Sequence, residues 1–155
     1  MSKITIKNGK ILTPYRLLDG FQVLVKNDKI QDIVPNDNAY EDYKVIDAAG
    51  LYVSPGFIDI HTHGAGDYDF LDGVVESFLV AAETHAKYGT TTLYPTATTG
   101  AYDTTKMMFE NFRKAKKLNK KGANLEGLHM EGPYFSHAQK GAQDPRYLRD
   151  PQPEE

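Results

Sequence analysis

Residues 55–64 read Pro-Gly-Phe-Ile-Asp-Ile-His-Thr-His-Gly, and the reading of this stretch decides the fold. Phe57 to His63 alternates like a strand and runs into a Gly- and Asp-rich loop ending at Gly73. Side chains alternate across a strand, so Asp59, His61 and His63 are expected on one face and Ile58, Ile60 and Thr62 on the other. In a parallel barrel the apolar face meets the helices. The three polar groups then point inward, and the histidines sit at the C-terminal strand end where such barrels carry their sites. Two imidazoles two positions apart on one face can chelate a divalent cation. Two histidines merely hydrogen-bonded at a strand end fit so short a motif equally well.

Downstream, Val74 to Lys87 reads as a helix, with Val74, Val75, Phe78, Leu79, Ala82 and Ala86 in an apolar stripe and Gly89 as its stop. Thr90 to Thr96 is the next strand. A second helix is expected from about Asp103 to Leu118, with Met108, Phe112 and Ala115 on one face. Arg113, Lys114, Lys116 and Lys117 suit its negative end. Asn124 to Glu131 is read as a third strand. Strand, helix, strand, helix, strand is a parallel α/β pattern. A (β/α)8 barrel of about 250 residues spends roughly 31 per βα unit. The 101 residues from position 55 onward therefore cover about three units. Asp150 to Glu155 closes no element, so the chain is expected to stop in mid-architecture.

Upstream, residues 1–54 read as short strands and turns forming a small antiparallel module with one polar face. Ile4 and Ile6 alternate with Lys3, Thr5 and Lys7; Asn8-Gly9 then predicts a tight turn, with Lys10 to Thr13 as the returning strand. Asn27-Asp28 links Phe21–Lys26 to the run from Lys29 to Val34, and further strands are expected at Lys44–Asp47 and from Leu51 to Val53. No catalytic constellation lies in this segment.

Composition excludes several classes of function. With 18 Lys and Arg against 21 Asp and Glu, the net charge of −3 provides no basic face for nucleic acid. No apolar run approaches the roughly 20 residues of a membrane span, and the start, Met1 to Ile6, lacks a signal-peptide core. The absence of cysteine removes disulfide scaffolds and thiolate metal sites. A cytoplasmic protein is the simplest expectation.

The second chemistry-bearing stretch is His129-Met130-Glu131-Gly132-Pro133. Parity puts His129 and Glu131 on one face, with Glu131 ending its strand at a Gly-Pro turn. A carboxylate beside imidazoles suits Zn, Mn or Fe; a strand-end glutamate capping a neighbouring loop is the plainer alternative. His85 near a helix end reads as a packing or capping residue. His137 and Lys140, in the loop after Glu131, face either a substrate or solvent. Asp67, Asp69 and Asp72 lack the spacing of a calcium loop and read as surface and helix-start residues.

Pro55 to Gly64 resembles the first barrel strand of the amidohydrolase superfamily, and Gly89-Thr90-Thr91-Thr92 with Pro95-Thr96 resembles its second. Leu128-His129-Met130-Glu131-Gly132-Pro133-Tyr134, followed by Lys140-Gly141-Ala142, is similar to the N-acetylglucosamine-6-phosphate deacetylase family within it. The resemblance covers essentially the whole chain. It implies a β-sandwich segment over 1–54 and the first three βα units of a metal-dependent barrel over 55–155. It also implies a metal-binding Glu131, with His61 and His63 leaving room for a second ion, so one or two divalent cations (Zn first, then Fe, Mn or Co) per full-length chain. Ala142, Gln143 and His137 become the substrate-side positions; many members carry His where this chain has Gln143. The implied reaction is hydrolysis of N-acetylglucosamine 6-phosphate to glucosamine 6-phosphate and acetate, by a cytoplasmic enzyme that is a homodimer when full length. The family's remaining ligands and its acid/base aspartate lie on later strands, so no catalytic residue is assigned here and the 155 residues alone are expected to be inactive. Another N-acyl amino-sugar deacetylase, or a non-catalytic metal- or sugar-binding remnant, is the alternative.

Overall fold

A computed structural model describes residues 2–153; Met1, Glu154 and Glu155, the ends of two stretches read above, lie outside the described residues. The chain divides into two compact units, Met1–Pro55 and Gly56–Glu155.

The first unit holds seven short strands: β1 (Lys3–Lys7), β2 (Lys10–Leu12), β3 (Leu17–Leu18), β4 (Phe21–Lys26), β5 (Lys29–Pro35), β6 (Lys44–Asp47) and β7 (Tyr52–Val53). One sheet has the order β5-β4-β1-β6 and the other β3-β2-β7. The β4–β5 hairpin turns at Asn27 and Asp28, whose positive φ of 51° and 62° matches a twisted two-residue turn. Two expectations fail. The module is mixed rather than antiparallel, because β1 pairs with β6, and β2 with β7, in parallel. Nor does the strand after Asn8-Gly9 return along β1. Both edges of β1 are taken by β4 and β6, so β2 passes into the second sheet, where Lys10 N donates to Leu51 O at 2.9 Å. The alternation of β1 also works against its hydropathy, since Thr5 is fully buried while Ile4 and Ile6 are half-buried. Thr5 Oγ1 donates to Gln22 Oε1 at 2.8 Å, and Gln22 Nε2 donates to the carbonyls of Pro35 and Asn38, so these buried polar atoms are satisfied.

The second unit runs β8 (Phe57–Thr62), β9 (Gly64–Ala65), β10 (Tyr68–Asp69), α1 (Val75–Lys87), β11 (Thr90–Ala97), α2 (Tyr102–Leu118), β12 (Asn124–Leu125) and β13 (His129–Met130). β11 is central: β8 lies along it in parallel, as do β12 and β13. The expected third strand is therefore two short pieces, with 126–128 outside both and tied to β11 where Glu126 N donates to Leu93 O at 3.1 Å; Gly127 faces the Tyr94 ring there, where a Cβ would come within 3.1 Å. The core lies under both helices. Phe78, Ala81 and Ala82 of α1, Met108 and Ala115 of α2, Leu93 and Ala97 of β11, Leu125 and Phe70 are all buried, and the Phe70 and Phe78 rings stack at 5.1 Å. Val74 is the extended residue before α1, not part of it, and stays exposed. Gly89, at φ +94°, ends the helix with its N–H on Ala86 O.

The alternation expected along β8 breaks. Asp59 pairs with Leu93 and Thr62 with Pro95, so β8 carries one extra residue between these pairs. Asp59 consequently shares the helix-facing side with Leu93, and its Oδ2 lies 3.8 Å from His85 Nδ1 of α1. It does not share the face of His61 and His63. Ile58 and Ile60, expected under the helices, are 65% and 66% exposed.

The close approach of the α2–β12 turn to α1 gives a test of this packing. A Cβ on Gly122 would lie 2.6 Å from the Ala82 carbonyl carbon and 2.7 Å from Glu83 N, both main-chain atoms that cannot swing aside. Gly122→Ala is expected to cost about 1–3 kcal/mol as an overpacking change, read as a lower urea midpoint at unchanged slope.

Candidate metal centre

Three side chains meet at the C-terminal ends of β8 and β13. His61 and His63 leave β8 on the same side because the extra residue lies before them. Glu131 directly follows β13, and its N–H extends the ladder by donating to Ala97 O at 2.9 Å. The chain turns away at once. Gly132 has φ +98°, and a Cβ there would lie 2.2 Å from Thr99 Oγ1, so only glycine fits.

Glu131 Oε2 lies 3.3 Å from His61 Nε2 and 3.2 Å from His63 Nε2. One ligand atom from each of the three residues falls within 4.8 Å of the others. All three are partly open, with side-chain exposures of 47%, 38% and 28% for His61, His63 and Glu131. His63 Nδ1 is 3.2 Å from the carbonyl oxygen of Thr96. A carbonyl only accepts, so Nδ1 carries the proton and a neutral ring turns the lone pair of Nε2 toward Glu131. A lone pair facing a carboxylate oxygen at this distance has nothing to share with it except a proton or a cation. Two imidazole nitrogens and one carboxylate oxygen fit a divalent ion of the zinc type, with the Thr96 carbonyl as the outer partner that orients one ring.

Further groups surround this centre, among them His129, which the sequence puts on the face of Glu131, and His85, which it reads as a packing or capping residue. The His129 ring lies edge-on to His61, with centroids 4.8 Å apart, and its Nδ1 is 3.2 Å from Thr96 Oγ1. On the helix side, His85 Nε2 lies 3.3 Å from Thr62 Oγ1, so His85 bridges α1 to β8 beside Asp59. The acidic loop residues are local braces: Asp69 Oδ1 accepts from Leu71 N and Asp72 Oδ2 from Asp69 N.

The substrate-side positions lie in the loop after Glu131. His137 is exposed at the start of a 3-10 turn (His137–Gln139) and stands outside the three-residue group. Ala142 is exposed as well. Gln143 is half-buried, and its Oε1 accepts from Thr99 N at 2.9 Å. Lys140 Nζ donates to the Gly141 and Gln143 carbonyls and so braces its own loop. The loop is hung from the end of β11 at a second point, where Arg149 Nη1 donates to Gly100 O. A cleft of about 450 Å³ opens nearby between α2 and Met130, lined by Tyr102, Phe109, Tyr134 and Phe135, and none of the three clustered residues lines it.

A model described as the amidohydrolase family matches residues 52–155. Among curated proteins, N-acetylglucosamine-6-phosphate deacetylase of Haemophilus influenzae is 34% identical over 153 residues, covering 98% of this chain and 40% of the relative. A dihydroorotase of Aquifex aeolicus is 48% identical, but over 64 residues only, 41% of this chain and 15% of the relative. Among solved structures, N-acetylglucosamine-6-phosphate deacetylase from Pasteurella multocida superposes with a TM-score of 0.87 at 33% identity, covering 98% of this chain and 40% of that one. The chain thus spans about 40% of the length of these two deacetylases.

The loop provides a pH test. The Arg146 guanidinium and backbone N–H both bond Asp144 and hold its carboxyl at about 2, below the ordinary 3.8. Because the folded value is depressed, the contact stabilises the turn fully above pH 3.8 and loses that effect as pH falls toward about 2. Arg146→Ala removes the guanidinium but keeps the backbone N–H, so the Asp144 midpoint is expected to rise part of the way toward 3.8, read by carbon-detected NMR titration of the carboxyl.

Proposed function

The chain belongs to the amidohydrolase family, and on that premise we propose that it is the first part of a metal-dependent deacetylase. The reaction is hydrolysis of N-acetylglucosamine 6-phosphate to glucosamine 6-phosphate and acetate. On this reading Gly56 onward begins a (β/α)8 barrel, with two βα units and the strand of the third among the described residues, and residues 1–55 are part of a β-sandwich. The observation that carries it is the meeting of Glu131, at the end of the third strand position, with two first-strand histidines, at 3.3 and 3.2 Å. Similarity to two deacetylases along almost the entire chain supports the substrate, whereas the dihydroorotase similarity is confined to a shorter stretch.

His61, His63 and Glu131 would hold the ion. When bound, a divalent cation supplies the Lewis acidity that activates water near neutral pH and polarises an amide carbonyl. The residues of this chain do the rest of the work assigned here. Glu131 brings the negative charge that offsets part of the cation's. His63 is oriented by the Thr96 carbonyl, so its donor atom needs no reorganisation. Gln143, with Oε1 committed to Thr99 N, offers its NH₂ group to an acceptor on the sugar. Ala142 beside it leaves room, and exposed His137 is placed to meet the polar end of the substrate. The proton-transferring carboxylate belongs, on this reading, to later barrel strands. We place the protein in the cytoplasm as a homodimer; no helix among the described residues is long and apolar enough to cross a membrane.

Two measurements on the full-length protein test the proposal. Outer-shell changes at metal sites cost about 10–100-fold in affinity, so losing a direct ligand should cost about 100-fold or more. Glu131→Gln is expected to lose Zn²⁺ by that factor in competition with a chelating dye, and to lose acetate release with it. Undiminished Zn²⁺ affinity in that variant, or turnover that survives exhaustive chelation, would overturn the metal assignment. Faster hydrolysis of another N-acyl amino sugar would overturn the substrate alone.

A further inference from the structure

Thr96 lies at the centre of the strand ends and is 1% exposed, so water does not compete for its oxygens. Four groups converge on it. Its carbonyl oxygen faces His63 Nδ1 at 3.2 Å. Its hydroxyl meets Thr62 N at 3.1 Å, Tyr94 O at 3.3 Å and His129 Nδ1 at 3.2 Å.

A hydroxyl has one proton to give and two lone pairs to accept with. Thr62 N can only donate, so it takes one lone pair. Tyr94 O can only accept, so it takes the proton. With the proton donated to the Tyr94 carbonyl, one lone pair remains for His129, and a protonated Nδ1 is what fills it. The same reasoning at the carbonyl fixes His63. We propose that Thr96 is the positioning residue of this site: its carbonyl holds His63, and its hydroxyl holds His129, each as the Nδ1–H tautomer, so that both rings present a bare Nε2.

The consequence concerns His129 most. Its ring packs edge-on against His61. With Nδ1 committed to Thr96, Nε2 is an acceptor, suited to a hydrogen bond from a water or an amide N–H but unable to donate while the ring is neutral. Resting on the hydrolytic reading of the site, this makes His129 Nε2 a third ring nitrogen, of defined polarity, beside the two histidines and the carboxylate. The Thr62 N–H on the same hydroxyl also ties the end of the β8 irregularity to the group that sets the tautomers.

The test uses nitrogen-15-labelled histidine in the full chain and long-range proton–nitrogen correlation, at a pH where the rings are neutral and without added metal. His63 and His129 are both expected as Nδ1–H. Thr96→Val keeps the carbonyl and the β-branched shape but removes the hydroxyl. It is expected to release His129 into a mixture or the Nε2–H form and leave His63 unchanged; Thr96→Ser is expected to restore Nδ1–H. An Nε2–H His129 in the unsubstituted chain overturns the proposal, whether or not the valine variant folds. So does an unchanged His129 tautomer in folded Thr96→Val. Failure of Zn²⁺ to perturb the His61 and His63 signals would count against the metal reading and leave the tautomer assignment standing, so the two failures are distinguishable.

Discussion

One extra residue in β8 opposite β11 determines where every polar group of the first strand goes. Without it, Asp59 would join His61 and His63, placing a carboxylate low on the inner face and leaving α1 without its partner. With it, Asp59 turns to the helix layer and lies near His85, while the two histidines emerge together at the strand end. The pairing that follows the irregularity is fixed by Thr62 N on Thr96 Oγ1. Thr96 in turn is held by the ladder between β11 and β13, which also carries Glu131 into place through its N–H on Ala97 O. The three candidate ligands thus come from the ends of two strands that do not pair with each other, and the central strand between them sets their spacing.

Much of the second unit was legible in the sequence because its signals are local. The spacing of Phe78, Leu79 and Ala82, or of Met108, Phe112 and Ala115, can only be buried by a helix, and both helices form where those residues recur. His61 and His63 were visible because they stand two positions apart near a strand end, and Glu131 because it stands at a strand end before Gly132-Pro133. The face of Asp59 was not legible. A single-residue irregularity changes no composition and leaves the alternation intact on paper; only the partner strand reveals it. The role of Thr96 escaped for a related reason, and His129, placed on the Glu131 face, gave no sign of the hydroxyl it meets. A threonine among the β-branched residues of a strand carries no mark of what its hydroxyl meets 33 positions away.

The first unit shows the same limit from another side. Asn8-Gly9 has the chemistry of a hairpin, yet the decision lay with β4 and β6, which occupy both edges of β1. Burial in β1 also inverts what hydropathy suggests, since Thr5 goes inside because Gln22 is there to accept its proton. A polar pair that is complete within itself, with the Gln22 amide satisfied by two carbonyls, can take the place of an apolar contact; either residue alone could not.

The suspended loop after Glu131 has an evolutionary meaning. Gly132 is jammed against Thr99, so the hinge beneath Glu131 tolerates no side chain, whereas the span carrying His137 and Ala142 runs from that hinge to Gln143, whose Oε1 accepts from Thr99 N, and the chain beyond is tied again where Arg149 donates to Gly100 O. Substitutions along that span alter what a neighbouring molecule meets without tugging on the carboxylate, whose own backbone is tied separately to Ala97. The exposed span and the Glu131 backbone are therefore held by different hydrogen bonds. A lineage can vary the span while the backbone at the end of the third strand stays fixed by its own contacts, so the two can change on separate clocks.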